Sequence, residues 1–167
     1  HVVGGLDVQR LEAICKTVKD MGFSVVRVPF SNEMLRSQVP SGAINYELNP
    51  NLRGKSALQV LDDVVVCLGR NRVAVILNNH TTFGEWCGPP GKNGLWFDPG
   101  GSQSEKQWID DWAMLAQRYS CCAHVVGYDL RNELRPAWRK CRFRWPSWGS
   151  SAFSRFFGAC DWAKATL

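Results

Sequence analysis

The stretch from Val125 to Pro136, VVGYDLRNELRP, begins as an apolar β-strand and ends with an arginine, an amide and a carboxylate in succession. An ordinary core strand runs into Gly, Pro, Asn or Asp turn chemistry. A strand that presents Asn132 and Glu133 at its carboxyl end instead places them in a cleft, as in a barrel of parallel strands. The stretch therefore predicts a functional strand end, and a catalytic Glu133 would need a second carboxylate elsewhere.

Two earlier segments have the same form as this strand. The runs FSVVRVPF (Phe23–Phe30) and RVAVILNNH (Arg72–His80) are continuous apolar stretches, which are typical of buried parallel strands. The apolar spacing predicts a helix before each of the three strands: over Asp7–Met21 with Asp7 as N-cap, around Leu58–Leu68, and over about Ser102–Arg118.

The loops indicate how these units are arranged. The loop after each strand is long and the loop before it is short, which is typical of a (β/α)-barrel whose site lies at the strand carboxyl ends. A doubly wound nucleotide-binding sheet would instead need a Gly-rich turn after a strand, and no strand is followed by one. Since a closed barrel needs eight strands, the sequence predicts an α/β fold that is a partial (β/α)8 TIM barrel, with about three βα units and parallel strands.

Composition and charge exclude several classes of protein. The 167 residues are 45% hydrophobic and 21% charged, which is a globular composition. Residues 1–133 carry 13 Lys/Arg and 14 Asp/Glu, whereas the remainder carries 7 and 1, centred on RKCRFR (Arg139–Arg144). We interpret that segment as solvated or irregular, and expect no nucleic-acid partner. No apolar run approaches the roughly 18 residues of a membrane span.

The seven cysteines are an odd number, so one at least stays unpaired in an oxidised monomer. Cys15 and Cys67 lie on apolar helix faces and are predicted to be small buried hydrophobes. The others lie in loops and could pair in a secreted protein: Cys87, Cys121, Cys122, Cys141 and Cys160. A metal site would have to use His80, Cys87, Cys121, Cys122 and His124, but their spacings lack a C-x-x-C pair, and we expect neither metal nor cofactor.

Polar groups stand at the ends of the other two strands as well. Arg27 lies inside VVRVP, where a permanent charge costs several kcal/mol unless acceptors meet it. Two roles stay open for it: a structural salt bridge, for which Asp129 is a candidate, or orientation of a catalytic carboxylate. His80 ends the second strand and is predicted to bind substrate hydroxyls, with a purely structural role as the alternative. With Asn132 and Glu133, these side chains are expected to face one mouth.

The loop motif GEWCGPPGKNGLWFDPG supplies two tryptophans near this mouth, Trp86 and Trp96. Flat aromatic faces suit pyranose rings, whose C–H faces are apolar, and packing of the loop against the barrel is the equally weighted alternative. Trp108 and Trp112 keep helical spacing and are assigned to the core.

The motifs VRVPFSNEML, VILNNHTTFGEWC, NGLWFDP and HVVGYDLRNELRP together resemble the successive strand-end motifs of glycoside hydrolase family 5, the cellulase family of (β/α)8 barrels. The resemblance runs from about residue 1 to 136. It implies that Glu133 is the general acid/base of a retaining β-glycosidase, that Asn132 binds the sugar 2-hydroxyl and His80 another hydroxyl, and that Arg27 supports the nucleophile. The implied substrate is a β-linked oligo- or polysaccharide. A secreted location is favoured by the family, although the chain has no signal peptide.

The chain departs from the family pattern in two places. Leu134 and Arg135 stand where the family usually has Pro directly after its Asn-Glu pair. The attacking Glu of the family belongs to a later strand, and no residue here matches it. Glu85 and Asp98 are loop carboxylates that could approach Glu133, but neither occupies a strand end.

We therefore expect an incomplete copy or fragment of the family, forming one partial catalytic domain over 1–167 with an uncertain basic loop or insertion at 134–160. Without the nucleophile, retaining hydrolysis, which needs two carboxyl groups about 5 to 5.5 Å apart, should be absent or very weak. A non-catalytic carbohydrate-binding fragment is the alternative. Unpaired sheet edges lead us to expect self-association.

Overall fold

The structure, a computed structural model, describes residues 2–84, 94–98 and 101–134. Within these ranges three helices alternate with three strands. They are α1 (Leu11–Asp20), β1 (Val25–Ser31), α2 (Ala57–Arg70), β2 (Ala74–Thr81), α3 (Glu105–Arg118) and β3 (Val125–Asp129), with short 3-10 turns at Glu33–Arg36 and Pro50–Leu52. The strands pair in the order β1-β2-β3, and both pairs are parallel. The predicted α/β fold of about three βα units is confirmed.

Helices α2 and α3 begin with the same capping device. Ser56 and Ser104 each accept a hydrogen bond from the backbone N–H three residues later, and the side chains of Gln59 and Gln107 accept from the serine N–H in return. This capping box satisfies backbone donors that the first helical turn would otherwise leave unpaired. Both helix starts are therefore fixed by local sequence.

Helix α1 begins at Leu11, so the predicted start with Asp7 as N-cap is wrong. The backbone N–H of Leu11 donates to Oδ1 of Asn49, 38 residues away, at 2.9 Å, and Nδ2 of Asn49 donates to the carbonyl of Leu6 at 3.1 Å. The cap is thus supplied by a distant loop. Val8, which the helical pattern placed on the apolar face, lies in the preceding turn and is 72% exposed.

One face of the sheet is covered by the helices. Val28 and Phe30 of β1 and Val75 and Leu77 of β2 are at most 2% exposed and belong to the same apolar cluster as the buried side chains of α1 and α2. The register places Val28 beside Leu77, and Leu77 beside Tyr128 of β3. This face is the core of the described fold.

The opposite face carries polar side chains. Pro29, Asn78 and Asp129 are level with one another across the three strands, and Arg27 lies two residues before Pro29 on the same face. Side chains alternate between the two faces of a strand, so residues two apart share a face. In a closed barrel this face would line the interior. Within the described residues Arg27 and Asp129 are partly exposed on it, whereas Asn78 is buried.

Helices α1 and α2 are joined by a disulfide between Cys15 and Cys67, whose Cα atoms lie 6.2 Å apart. The prediction that both side chains are buried is confirmed, but the prediction that they act as free hydrophobes is wrong. Cys121 and Cys122 are free thiols, and Cys87, Cys141 and Cys160 lie outside the described residues.

The described ranges contain no group of three or more His, Cys, Asp or Glu side chains arranged to hold a metal ion. None of the helices in these ranges has the length and apolar character needed to cross a membrane. The basic motif RKCRFR and nearly all of segment 134–160 lie outside the described residues.

We expect that Cys15→Ser lowers the free energy of unfolding by about 2–4 kcal/mol, because a disulfide that closes a loop of this length restricts the unfolded chain. Urea unfolding monitored by circular dichroism measures the change. Cys122→Ser is the matched control, since it removes a half-buried free thiol. Alkylation of Cys15 in the unreduced, denatured wild-type chain would contradict the pairing.

We also expect the chain to self-associate. Within the described residues β1 and β3 each pair on one side only, and apolar side chains are exposed along these edges: Val25 at 42% and Val126 at 58%. Sedimentation velocity should show concentration-dependent association that Val25→Lys and Val126→Lys reduce. Ile109→Lys, at a 52% exposed position of α3, is the control. A monomer at all concentrations would refute the expectation.

Candidate active site

The predicted site residues gather toward the carboxyl ends of β2 and β3. His80 is near the end of β2, and Asn132 and Glu133 follow β3. Arg27 is the third residue of β1, level with Ile76 of β2, and its long side chain reaches Asn132. The backbone N–H of Asn132 donates to the carbonyl of Asn79 at 3.0 Å, which continues the pairing of the two chains beyond β3. Asn132 is thereby held beside the end of β2.

Asp129 is the acceptor at the centre of this group of side chains. Its Oδ2 accepts from Nε of Arg27 at 2.7 Å and from Nδ2 of Asn78 at 3.1 Å. Nη2 of Arg27 also donates to Oδ1 of Asn132 at 2.8 Å. Of the two roles considered for Arg27, the salt bridge to Asp129 is present. The same guanidinium also binds Asn132, the residue before Glu133. A charge-assisted hydrogen bond of this kind is about twice as strong as a neutral one.

His80 is half-buried, and its Nδ1 lies 2.8 Å from Oδ1 of Asn78. Burial lowers the pKa of His80, and the positive charges of Arg27 and Arg131 lower it further, while Glu133 and Asp129 act in the opposite direction. The ring therefore stays neutral to a lower pH than an ordinary histidine, because desolvation and the two arginines disfavour the charged form.

Glu133 is exposed and has a φ of +40°, in the left-handed region that residues other than glycine rarely adopt. Arg72 is the one other non-glycine residue with positive φ in the described ranges. Unusual backbone conformations cluster at functional sites, where surrounding contacts hold them in place. The charge of Glu133 raises the pKa of His80, against the larger lowering by burial and Arg27.

A second polar network lies beneath the site, on the helix-covered face. Oδ1 of Asn79 accepts from Nε1 of Trp108 and from Nη1 of Arg131, both at 3.1 Å. Nδ2 of Asn79 donates to Oδ1 of Asn32 at 3.0 Å, and Nδ2 of Asn32 donates to Oδ2 of Asp111 at 2.7 Å. Asn79, Asn32 and Asp111 are all buried, so α3, β2 and the segments that follow β1 and β3 share one hydrogen-bond network.

Sequence reasoning assigned no site role to Asn78 and treated Asp129 only as a possible partner of Arg27. A signal for Asn78 does exist, because it stands two residues before His80 and so shares its face. Asp129 could be placed only with the strand register, which is a tertiary fact. Nothing in the sequence marks Asn32 and Asp111 as members of a buried network, since each is an ordinary polar residue in its own segment.

Of the two loop tryptophans predicted to lie near the site, Trp96 is described by the structure and Trp86 is not. Nε1 of Trp96 donates to Oε1 of Glu105 at 3.1 Å, and its ring centroid lies 5.3 Å from that of Phe97 and 6.4 Å from that of Trp108. These contacts favour packing of the loop against α3. Trp86 and Glu85 lie outside the described residues.

The core assignments of the helical tryptophans are confirmed. Trp108 is 4% exposed, and Trp112 packs edge-on against Phe30 and Tyr128, with centroid distances of 5.2 and 5.7 Å. Asp98 lies in a turn where its backbone N–H donates to the carbonyl of Gln103 at 2.7 Å.

Parallel βα units with polar side chains gathered at the strand carboxyl ends define part of a (β/α)-barrel whose site lies at that end. The cellulase model of glycosyl hydrolase family 5 matches residues 5–153. The chain therefore belongs to glycosyl hydrolase family 5, as the motifs predicted.

Relatives and solved structures agree with this assignment. The major extracellular endoglucanase of Xanthomonas campestris pv. campestris is 33% identical over 165 residues, which are 99% of this chain and 30% of that protein. Its solved catalytic domain superposes with a TM-score of 0.71 at 32% identity, covering 86% of this chain and 40% of that one. An endoglucanase of Paenibacillus polymyxa is 32% identical, covering 80% of this chain and 32% of that protein.

An endocellulase of Pyrococcus horikoshii, solved in complex with cellotetraose, superposes with a TM-score of 0.67 at 32% identity, covering 79% of this chain and 33% of that one. The chain thus spans about a third of the length of the relatives that it matches. The fold is accordingly part of the TIM barrel that these proteins share.

We expect the free energy of unfolding to fall as pH decreases from about 6.5, because the lowered pKa of folded His80 means that the unfolded chain takes up a proton first. This contribution is complete above about pH 6.5 and is lost as pH falls toward the folded pKa. Urea unfolding at a series of pH values measures it. His80→Gln should flatten the dependence, and His124→Gln should retain it because His80 is still present. An identical slope in His80→Gln and wild type would contradict the expectation.

Proposed function

We propose that the chain carries the acid/base half of the active site of a retaining β-glycosidase that acts on β-linked glucans in the manner of an endoglucanase. In this proposal Glu133 is the general acid/base, Asn132 binds the 2-hydroxyl of the sugar at the cleavage point, and His80 binds a further hydroxyl. The observation that carries the proposal is the contact of Arg27 with both Asp129 and Asn132, because it fixes the amide directly before Glu133.

The proposed chemistry uses Glu133 twice. In the first step its proton passes to the glycosidic oxygen as the bond from that oxygen to the anomeric carbon breaks, and a second carboxylate forms a bond to the same carbon. In the second step Glu133 removes a proton from the water that attacks this carbon and releases the second carboxylate. The mechanism therefore requires two carboxyl groups facing each other across the scissile bond.

We propose that the described residues do not supply the second carboxylate. Asp129 is a carboxylate at a strand end, but its oxygen already accepts from Arg27 and Asn78. Glu133 itself is exposed within the described residues. In this proposal the nucleophile comes from a strand that completes the barrel. The chain alone should show very weak hydrolytic activity or none.

Binding of cellotetraose to the purified chain, measured by isothermal titration calorimetry, tests the proposal. We expect Asn132→Ala and His80→Ala each to weaken binding by roughly 2- to 10-fold, the range of one net hydrogen bond. Glu133→Gln should bind almost as well as wild type because it keeps the shape of the side chain. Asn71→Ala, which loses a side-chain contact at the end of α2, is the control and should bind normally.

The outcomes separate the two parts of the proposal. Equal binding by wild type, Asn132→Ala and His80→Ala would refute the placement of the sugar. Turnover of cellotetraose by the purified chain that is abolished in Glu133→Gln would refute the absence of a nucleophile, since it would require a complete carboxylate pair.

A carbohydrate-binding fragment without catalysis is the alternative, because Trp96 and Phe97 form a half-buried aromatic pair near the strand ends. Such a fragment would use Trp86, Trp96 and His80, and binding that survives Glu133→Ala but is lost in Trp96→Ala would favour it. The contacts of Trp96 with Glu105 and Trp108 support packing as its role, and so favour the glycosidase proposal.

A further inference from the structure

The hydrogen bonds around Asn78 determine which ring nitrogen of His80 carries a proton. An ionised carboxylate can only accept hydrogen bonds, so the group that Asn78 directs at Asp129 must be its amide Nδ2, which lies 3.1 Å from Oδ2 of Asp129. The carbonyl Oδ1 of Asn78 then faces Nδ1 of His80 at 2.8 Å. A carbonyl oxygen cannot donate, so Nδ1 of His80 must carry the hydrogen.

A neutral imidazole has one N–H and one unprotonated nitrogen. With the proton on Nδ1, neutral His80 has Nε2 as a hydrogen-bond acceptor. Nε2 has no hydrogen-bond partner in the part of the chain that the structure describes, so it is the nitrogen left to meet a ligand. The neutral form is favoured because burial and Arg27 lower the pKa of His80.

A second set of hydrogen bonds, from Asp129 through Arg27, determines which end of the Asn132 side-chain amide is left for a ligand. A guanidinium only donates, so the atom of Asn132 that meets Nη2 of Arg27 at 2.8 Å must be its carbonyl Oδ1. The amide Nδ2 of Asn132 is therefore left as a donor. Arg27 is held for this contact by its charged hydrogen bond from Nε to Asp129 at 2.7 Å.

We propose that Asp129 is a positioning residue that sets the polarity of the two atoms offered to the ligand: through Asn78 it makes Nε2 of His80 an acceptor, and through Arg27 it makes Nδ2 of Asn132 a donor. An acceptor and a donor near the ends of two paired strands match sugar hydroxyls, each of which can donate and accept. This last step rests on the proposed function. In this proposal Asp129 acts only through Asn78 and Arg27.

Charged side chains of β1, of β3 and of the segment after β3 all affect the pKa of His80. Arg27 lies on β1, Asp129 ends β3, and Arg131 and Glu133 follow β3. Loss of the Asp129 charge would leave Arg27 and Arg131 opposed by Glu133 alone. The pKa of His80 should then fall below its wild-type value, because the protonated ring loses a favourable partner.

The first test needs no variant. In the full chain labelled with ¹⁵N-histidine, the nitrogen shifts of neutral His80 identify the protonated ring nitrogen, with His80→Gln used to assign the signals. We expect the proton on Nδ1. A neutral His80 that carries its proton on Nε2 would overturn the proposal directly.

The second test compares variants by the same measurement. Asp129→Ala and Asn78→Ala should each give a mixture of the two His80 tautomers, because the Asn78 amide is released or removed. Asp129→Asn can still offer an oxygen to Asn78, so it should keep the tautomer while lowering the pKa of His80. If neither Asp129 variant changes the tautomer or the pKa, the proposal is wrong.

The matched control is Asp62→Asn. Asp62 pairs with Arg118 between α2 and α3 with side-chain exposures of 27% and 37%, close to the 33% and 44% of Asp129 and Arg27. It should leave His80 unchanged although it loses an Asp–Arg pair of the same kind. A shift of His80 in Asp62→Asn equal to that in Asp129→Asn would show a general effect on stability and would overturn a specific role for Asp129.

Cellotetraose binding separates this proposal from the proposed function. We expect Asp129→Ala to weaken binding several-fold and Asp62→Asn to leave it unchanged. If the tautomer responds to Asp129→Ala but wild type does not bind cellotetraose, the proposed function fails and the positioning role of Asp129 stands. If wild type binds and the tautomer does not respond, the positioning role fails alone.

Discussion

The polar site of the described fold depends on one ion pair, between Arg27 of β1 and Asp129 of β3. The Arg27 side chain is 44% exposed, so the burial cost expected from the sequence does not arise, and the pair acts mainly through the direction of its hydrogen bonds. Asp129 meets Arg27 from β3 and is also bound to Asn78 of β2, which lies between them. A single carboxylate therefore links all three strands. The polar site and the cohesion of the strand ends have the same physical origin.

The two faces of the sheet carry different kinds of side chain. The helix-covered face buries apolar side chains and ends in the hydrogen-bond network of Asn79, Asn32 and Asp111, which holds the segments after β1 and β3. The opposite face carries Arg27, Asn78 and Asp129, which position the candidate ligand-binding groups. Rigid support lies directly beneath the reactive groups, which is the arrangement that accurate positioning requires.

Sequence alone predicts the features that depend on local pattern. Apolar runs located the three strands. The starts of α2 and α3 could also have been placed from Ser and Gln three residues apart, a signal that the sequence analysis did not use. The start of α1 was misplaced because its cap comes from Asn49, and the disulfide was missed because Cys15 and Cys67 are 52 residues apart. Similarly, the strand-end motifs brought Arg27, His80, Asn132 and Glu133 into view, whereas the role of Asp129 depends on strand register.

That register contains one irregularity with a large effect. Val75 pairs with Val125 but Ile76 pairs with Gly127, so Val126 is an extra residue in β3. Neighbouring residues in a strand point to opposite faces, so this one extra residue switches the face on which each later residue of β3 lies. Without it, Tyr128 would leave the core and Asp129 would point among the helices. The chemistry of the strand end therefore depends on a residue that contributes no functional group, and a single deletion there would be more damaging than many substitutions nearer to Glu133.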